Sequence, residues 1–210
     1  SEGKLSAKWF LLSRPAGSEQ AAVDRCIEIA KDNGVILYLV HLSTGDSVTS
    51  VKEARQKGLR VIAESCPQYF LLNSKLFIEG HPFKAASLVC SPPLRDVTEN
   101  QNLWDLVYTD NIQSIGSDHC SFNIHSQKYL VLNDFRRIPG GLPGIELRYP
   151  LMYTFGVQKG YLSLQDWVRI CSAQPAQIFG LWPQKGTLTI GADADIVLFD
   201  PEKRVTIEPN

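Results

Sequence analysis

The sequence predicts an α/β fold in which helices alternate with the short, buried strands of a parallel sheet. Three observations carry this prediction: unbroken apolar runs, amphipathic helical stripes between them, and polar groups where the runs end. The runs occupy residues 35–40, 59–63 and 112–115. Unbroken apolar runs are typical of strands covered on both faces, and their alternation with helices indicates βαβ units.

The first third of the chain is expected to contain two helices and two strands. Ser18 is a suitable N-cap, and the apolar stripe that follows it ends near Gly34, a residue type common just after a helix. The first strand ends at His41 and the second at Glu64. The elements expected in order are a helix over 18–34, a strand over 35–40, a helix over 47–56 and a strand over 59–63.

The same rhythm continues as far as residue 179. A possible strand at 86–90 precedes a proline-rich loop, and a third clear strand lies at 112–115. Ser163 is placed to cap the last helix. The helices expected in this part cover 98–107, 144–157 and 163–179.

Three clear strands are too few for a closed barrel. A parallel (β/α)₈ barrel has eight strands in about 250 residues, whereas this chain has 210 residues. Three strands alone would leave a long apolar edge unpaired, which is a liability for an isolated domain. The sequence also begins at Ser1 without a methionine and ends just after a strand-like segment. We therefore expect a part of a longer chain, with about half of the barrel outside it.

The tail of the sequence changes character. Residues 186–190 and 194–199 alternate or run apolar on either side of Gly191, and this pattern predicts strands of a small β appendage. We expect a partial barrel over residues 1–182 and the start of the appendage over residues 183–210.

Composition and charge exclude several classes of protein. A formal net charge of −1 provides no basic surface for nucleic acid and no polybasic anchor for a membrane. No apolar run is long enough to span a bilayer, and no signal-peptide pattern opens the chain. Five cysteines without framework spacing suit a reducing compartment, and Cys26 and Cys171 are expected in the core. We expect a cytoplasmic enzyme.

Two strand ends carry groups that could bind a metal ion. In parallel barrels, residues at the C-terminal ends of strands form the active site, and His41 and Asp118 both occupy such ends. Imidazole and carboxylate are zinc ligands, and Asp118 could also move a proton as a base. The alternatives are a hydrogen-bonded core histidine and an aspartate that caps a turn. Two ligand types at two ends of one sheet favour a metal site.

Two loops could hold a substrate. The prolines of Ser91-Pro92-Pro93-Leu94-Arg95 fix the loop, so that backbone groups of Ser91 could contact a planar amide. The glycine-rich segment 138–144, which includes Gly140, allows a ligand to approach the backbone closely. The alternatives are loop stiffening and a hinge. A cysteine enzyme built on His119 and Cys120 is not favoured, because neighbours along an extended chain point in opposite directions.

Taken in order, these motifs resemble the dihydropyrimidinase and hydantoinase branch of the amidohydrolase superfamily. Each motif is weak by itself, but the ordered set is specific and covers nearly the whole chain. The segments that carry the resemblance are Leu12-Ser13-Arg14-Pro15, Val40-His41-Leu42-Ser43, Glu64-Ser65-Cys66-Pro67-Gln68-Tyr69, Ser91-Pro92-Pro93-Leu94-Arg95, Gly116-Ser117-Asp118-His119-Cys120-Ser121-Phe122, Asn133-Asp134-Phe135, Ile138 to Glu146, and Gly191-Ala192-Asp193-Ala194-Asp195.

The resemblance implies the C-terminal part of a TIM-like (β/α)₈ metal-dependent hydrolase barrel, with an appendage that belongs to a β-sandwich. It implies two metals, usually zinc, bridged by a carboxylated lysine. It makes His41 a metal ligand, Asp118 a ligand and catalytic base, and Ser91 and Gly140 substrate-binding residues. The implied reaction, part of pyrimidine catabolism, opens a dihydropyrimidine or hydantoin ring to an N-carbamoyl amino acid. The implied assembly is a homo-tetramer.

This sequence departs from the family pattern at two places. The H-x-H pair and the bridging lysine lie upstream in the family, and no histidine precedes His41 here. Gly140 stands where hydrolytic members commonly have asparagine. An inactive fragment or a scaffold like the collapsin-response proteins is therefore an alternative, although those proteins lose the ligands that His41 and Asp118 retain. Allantoinase and dihydroorotase are nearer rivals.

Overall fold

The protein is described by a computed structural model that covers residues 3–79 and 81–207. Residues 1–2 and 208–210 lie outside these ranges. They include the two chain ends that contributed to the expectation of a longer protein. The structure contains a parallel sheet of three strands in the order β1-β2-β3. The strands are β1 Leu37–Leu39, β2 Val61–Ser65 and β3 Ser114–Ile115. The three apolar runs therefore form neighbouring parallel strands, as predicted.

Helices connect and flank the strands. The α-helices are α1 Lys8–Leu12, α2 Ala16–Asn33, α3 Gly45–Gln56, α4 Pro67–Leu71, α5 Lys75–Ile78, α6 Pro82–Ser87, α7 Val97–Tyr108, α8 Arg148–Met152, α9 Leu164–Val168 and α10 Gln174–Ile178. Wider π-helical turns cover Ile124–Lys128, Tyr153–Val157 and Arg169–Ala173, and 3₁₀ turns cover Tyr129–Val131 and Phe135–Arg137. The last π turn joins α9 to α10, so the chain is helical over 164–178, close to the prediction.

The core lies between the sheet and the helices α3 and α7. Apolar side chains of α3 and α7 pack against those of β2 and β3, and they are almost completely buried. The side chains concerned are Val48, Val51, Val61, Ala63, Leu103, Trp104, Val107, Ile112 and Ile115. Helix α7 forms as predicted, and it turns Leu103, Trp104 and Val107 inward.

The ends of two helices follow from local chemistry. Helix α2 ends at Gly34, which adopts a left-handed φ of +63° that suits glycine, as predicted. Its start was predicted wrongly: the helix begins at Ala16 after Pro15, and the hydroxyl of Ser18 donates to the Pro15 carbonyl. Ser163 caps α9 in a reciprocal capping box with Asp166, which confirms that prediction.

Strand β1 is shorter and more exposed than its apolar run predicts. Val35, Ile36 and Val40 are 53%, 57% and 44% exposed, so the prediction of a buried strand is wrong for these positions. In the described sheet β1 is an edge strand that pairs only with β2, and no chain covers its other side. Strand β2 continues to Ser65, so Glu64 lies within the strand and not after it.

Two further segments differ from the prediction. Residues 86–90 do not form a strand, because Pro82 starts helix α6, which runs through Ser87. The helix expected from residue 144 begins only at Arg148, since the preceding residues form a turn.

The tail from residue 183 to residue 207 contains turns and extended chain but no strand. The prediction of two strands there is wrong for the described chain, because an extended segment becomes a strand only beside a hydrogen-bonding partner. Ile190 and Leu198 are 107% and 93% exposed, so nothing covers their apolar side chains. The division at residue 183 remains a prediction.

The prediction of buried cysteines is confirmed for one of the two residues and wrong for the other. All five cysteines are free thiols; Cys171 is buried as predicted, whereas Cys26 is exposed. Cys26 lies on α2 but faces away from the core.

None of the helices in the described ranges combines the length and apolar character needed to cross a bilayer.

Candidate active site

The segments that follow β1 and β3 leave the sheet at the same edge because both are tied to the end of β2. The Leu42 N–H donates to the Glu64 carbonyl at 2.8 Å, and the Gly116 N–H donates to the Ser65 carbonyl at 2.9 Å. The hydroxyl of Ser65 donates to the Leu42 carbonyl at 2.7 Å. These bonds bring the residues just beyond β1 and β3 to one rim.

His41 and Asp118 lie at this rim in the same unusual backbone conformation. Their φ angles are +47° and +45°, in the left-handed region that residues other than glycine adopt rarely. Such strain is common at functional sites, where it directs a side chain. Partial burial raises the pKa of Asp118, and the nearby His41 lowers it. The structure therefore brings the two predicted ligands within interaction range of each other.

His41 and Asp118 are of the types that bind a metal ion, but two side chains are too few to complete a site. Imidazole nitrogen and carboxylate oxygen are both zinc donors, and a zinc site takes four ligands. In the part of the chain that the structure describes, no group of three or more histidine, cysteine, aspartate or glutamate side chains could hold a metal ion. His41 and Asp118 can therefore provide only part of a metal site.

Glu64 lies beside the site and contacts Gly116 and Tyr38. The Tyr38 hydroxyl donates to Glu64 Oε2 at 2.5 Å, and burial together with this bond raises the pKa of Tyr38. A Cβ at Gly116 would lie 2.6 Å from the carboxylate carbon of Glu64. Only glycine fits at this position, two residues before Asp118, while the Glu64 carboxylate is held by Tyr38.

The two predicted substrate loops meet. Ser91 is exposed, and a Cβ at Gly140 would lie 3.7 Å from its Oγ. The Gly141 N–H donates to the Val89 carbonyl at 2.9 Å, and the Leu142 carbonyl accepts from the Cys120 N–H at 3.0 Å. The glycine-rich loop is thus hydrogen-bonded to the Ser91 loop on one side and to the Asp118 segment on the other.

The glycine-rich loop makes the close approach that its composition predicts. Gly141 has a φ of +145°, and a Cβ there would lie 2.3 Å from Cys120 Cβ. His119 Nδ1 accepts from the N–H groups of Gly144 and Ile145 at 3.1 and 3.3 Å. His119 therefore holds the end of this loop, which explains why the next helix starts only after it.

The buried cysteines do not have the properties of nucleophiles. Burial raises the pKa of Cys90 and of Cys171 to about 12 and raises that of Cys66 further. A thiol with a raised pKa is inert, because the thiolate is the reactive form. His119 Nδ1 accepts from the loop, so this nitrogen is not available as a base for Cys120. That the protein is not a cysteine enzyme stays a prediction.

Two supporting groups were missed by the sequence analysis. Arg95 forms a buried ion pair with Glu19 and also donates to Ser43, two residues beyond His41. Lys128 is 1% exposed and lies between the two substrate loops. Arg95 was noted only as the end of a proline-rich motif. The sequence around Lys128 does not indicate that this residue is buried, because a lysine in a polar segment is typical of a solvated surface.

Comparisons with known proteins show which family the chain resembles over most of its length. The model of the family described as "Amidohydrolase family" matches residues 12–210. The chain is 41% identical over 200 residues to a D-hydantoinase of Geobacillus stearothermophilus, covering 95% of this chain and 42% of that protein.

Solved structures give the same relationship. The crystal structure of dihydropyrimidinase from Brevibacillus agri superposes with a TM-score of 0.89 at 40% identity, over 92% of this chain and 42% of that one. A D-hydantoinase (dihydropyrimidinase) from Thermus sp. superposes with a TM-score of 0.94 at 37% identity, over 98% and 44%. The chain thus spans less than half the length of these relatives.

The comparisons also extend the description of the fold and site. The parallel sheet and its helices have the TIM-barrel-like hydrolase fold of these structures. Hydantoinases of the matched family are metal-dependent enzymes, which agrees with the donor types at the rim. The chain belongs to the amidohydrolase family, in its hydantoinase and dihydropyrimidinase branch.

Proposed function

We propose that the protein containing this sequence hydrolyses a cyclic amide, opening a dihydropyrimidine or hydantoin ring to an N-carbamoyl amino acid. The observation that carries the proposal is the meeting, at one rim of the sheet, of His41 and Asp118 with the Ser91 and Gly140 loops. In this proposal the chain is the C-terminal part of the barrel, with residues 183–210 starting the β-sandwich.

His41 and Asp118 are the residues of this chain that would hold the metal, which we propose to be zinc, two ions per site. Both donors are types that zinc accepts, and both leave the sheet at the same rim. Bound there, the metal would lower the pKa of a bound water to about 7. The remaining ligands would come from the part of the protein outside this chain.

Asp118 is proposed as the group that moves the proton. Its carboxylate accepts a proton as a water oxygen bonds to the ring carbonyl carbon. It then returns that proton to the ring nitrogen as the carbon–nitrogen bond breaks. Partial burial raises the pKa of this carboxyl, and the nearby His41 lowers it. A carboxylate is one of the side chains that serve as general base and general acid.

The Ser91 and Gly140 loops are proposed to hold the ring. A cyclic imide presents N–H donors and carbonyl acceptors in one plane, and backbone groups can complement both. Gly140 has no side chain, and Ser91 Oγ would lie 3.7 Å from a Cβ there, so a flat ring could approach the backbone.

The test is turnover of dihydrouracil and hydantoin by the whole protein. Asp118→Asn is expected to lower kcat by at least about 100-fold, because general acid–base catalysis contributes 10²–10⁴-fold. Asp24→Asn, which removes the same charge from an exposed position of α2, is the matched control and should leave turnover unchanged. Equal activity of the two variants would exclude the proposed role.

Metal removal separates this proposal from its rival, an inactive fragment or a scaffold of the same fold. Chelation should abolish turnover, and stoichiometric zinc should restore it. Ring opening that survives complete metal removal would contradict the proposal. Failure to open any dihydropyrimidine, hydantoin, allantoin or dihydroorotate ring would favour the scaffold, and activity on the last two alone would favour an allantoinase or dihydroorotase.

The remaining expectations are proposals about the whole protein. We propose a homo-tetramer in the cytoplasm that binds a small-molecule cyclic amide, takes part in pyrimidine catabolism, and binds neither nucleic acid nor membrane. Light scattering and cell fractionation test the assembly and the location.

A further inference from the structure

Lys128 is a buried lysine whose ammonium group donates hydrogen bonds to three backbone carbonyls. Its side chain is 1% exposed. Nζ donates to the carbonyl oxygens of Ser87, Val89 and Gly141 at 3.0, 2.9 and 2.7 Å. Within the described ranges of the chain it forms no ion pair with a carboxylate. All three donors of the ammonium group are therefore used on the main chain.

Burying this ammonium group costs free energy, so the presence of a lysine at this position needs an explanation. A buried charge without a counter-ion loses hydration that hydrogen bonds to neutral carbonyls recover only in part. Burial lowers the pKa of Lys128 to about 8, so the ammonium form still predominates at neutral pH. An apolar residue of similar length would fill the space but would leave the carbonyl oxygens of Ser87, Val89 and Gly141 without this donor. The three hydrogen bonds therefore hold three backbone segments together, which an apolar side chain could not do.

Two of the three accepting carbonyls, those of Val89 and Gly141, lie beside the residues that are proposed to hold the ring, and the third belongs to Ser87 at the end of α6. Val89 lies two residues before Ser91, and Gly141 directly follows Gly140. The loops also share one direct bond, from the Gly141 N–H to the Val89 carbonyl at 2.9 Å. The ammonium group joins the same two residues through a second path, because it bonds the carbonyls of both. The ammonium nitrogen thus adds a second restraint on the distance between these two backbones.

We propose that Lys128 is a positioning residue for substrate binding, which sets the spacing of the Ser91 and Gly140 backbones without touching the ring. The inference rests on the proposed function, since it assumes that these loops bind the substrate. Because the lysine contacts neither His41 nor Asp118, its loss should affect ring binding and leave the proton transfer and metal largely intact.

The experiment compares three variants of the whole protein. Lys128→Met keeps the length and removes all donors, and Lys128→Gln keeps an amide donor. Lys84→Met is the matched control, since Lys84 is an exposed lysine on the neighbouring helix α6. Zinc content and the urea midpoint are measured alongside KM and kcat for dihydrouracil or hydantoin, at a temperature where each variant is folded.

The expected result is a KM raised at least about tenfold in Lys128→Met, with kcat changed less than about threefold and zinc retained, because a small loop displacement weakens binding. Lys128→Gln should fall between Lys128→Met and the unaltered protein, and Lys84→Met should equal the latter. If Lys128→Met does not fold, the Gln variant decides: its KM should exceed that of Lys84→Met, with kcat and zinc retained.

Two outcomes would overturn the inference, and they differ from failure of the proposed function. A folded variant with lower stability but unaltered KM would show a purely structural lysine. A loss of kcat and zinc with unaltered KM would place its effect at the metal. If the unaltered protein opens no cyclic amide at all, the proposed function fails, and the inference falls with it.

Discussion

Arg95 and Glu19 form an ion pair of 2.9 Å whose side chains are only 9% and 10% exposed. The pair joins the end of the Ser91 loop to helix α2. Ser43 completes the cluster, because its N–H donates to Glu19 Oε1 at 2.8 Å and its hydroxyl accepts from Arg95 Nε at 2.9 Å. A single buried cluster thereby fixes both the chain beyond His41 and the loop that contains Ser91.

Removing one partner of this pair should be strongly destabilising. Glu19→Ala is expected to lower the free energy of unfolding by about 3 kcal/mol, because it leaves a buried guanidinium without its counter-charge. Arg136→Ala is the control, since Arg136 pairs with Asp134 at 2.6 Å but is 58% exposed, and ion pairs at the surface contribute little to stability. Urea denaturation of the whole protein measures both. Similar losses of unfolding free energy in the two variants would show that burial does not increase the contribution of the ion pair.

Gly116 should not tolerate a methyl group. Gly116→Ala places a Cβ 2.6 Å from the Glu64 carboxylate carbon, and Tyr38 restrains that carboxylate from moving. We expect a loss of about 1–3 kcal/mol in unfolding free energy, the usual cost of overpacking. Gly17→Ala in α2, where a Cβ would meet nothing within 4 Å, is the matched control and should not destabilise the protein. Equal stability of the two variants would show that Glu64 moves freely.

His41 allows its backbone and its side chain to be tested separately. His41→Gly removes the imidazole and suits the φ of +47°, so stability should change by less than about 1 kcal/mol while zinc retention falls. Metal analysis after dialysis, with exposed His125→Gly as control, measures the effect. Full zinc occupancy in His41→Gly would remove His41 from the ligand set.

The stability contributed by Lys128 should depend on pH in a defined direction. Burial lowers its pKa from 10.5 to about 8, so between these values the unfolded chain binds more protons than the folded one. Unfolding free energy from this group therefore rises as the pH increases from 8 to 10. Cys90 and Cys120 face the ammonium group, and Cys90, with a pKa raised to about 12, remains neutral in this range.

The measurement for this prediction is the difference in unfolding free energy between the unaltered protein and Lys128→Met. This difference should shift in favour of the unaltered protein over that pH range. A difference independent of pH would mean that Lys128 titrates normally.

The sequence pattern alone correctly predicted the elements whose formation depends on neighbouring residues. The apolar spacing of residues 98–107 predicted helix α7, and Gly34 and Ser163 marked helix ends, since caps and turns depend on neighbouring residues. The alternation of strands and helices was also enough to place His41 and Asp118 at one rim, because parallel strands end on the same side of a sheet.

Pairing and burial, in contrast, depend on residues distant in the sequence, and the tertiary structure alone decided them. The apolar tail forms no strand because it has no partner, and Val35 and Ile36 are exposed because β1 is an edge in the described sheet. Lys128 and Arg95 look like surface residues, yet loops far away in the sequence enclose them. By itself the amino-acid order determined the fold class and the family whose site motifs the chain carries. The folded chain determined which charges support the candidate site, because burial is a property of packing.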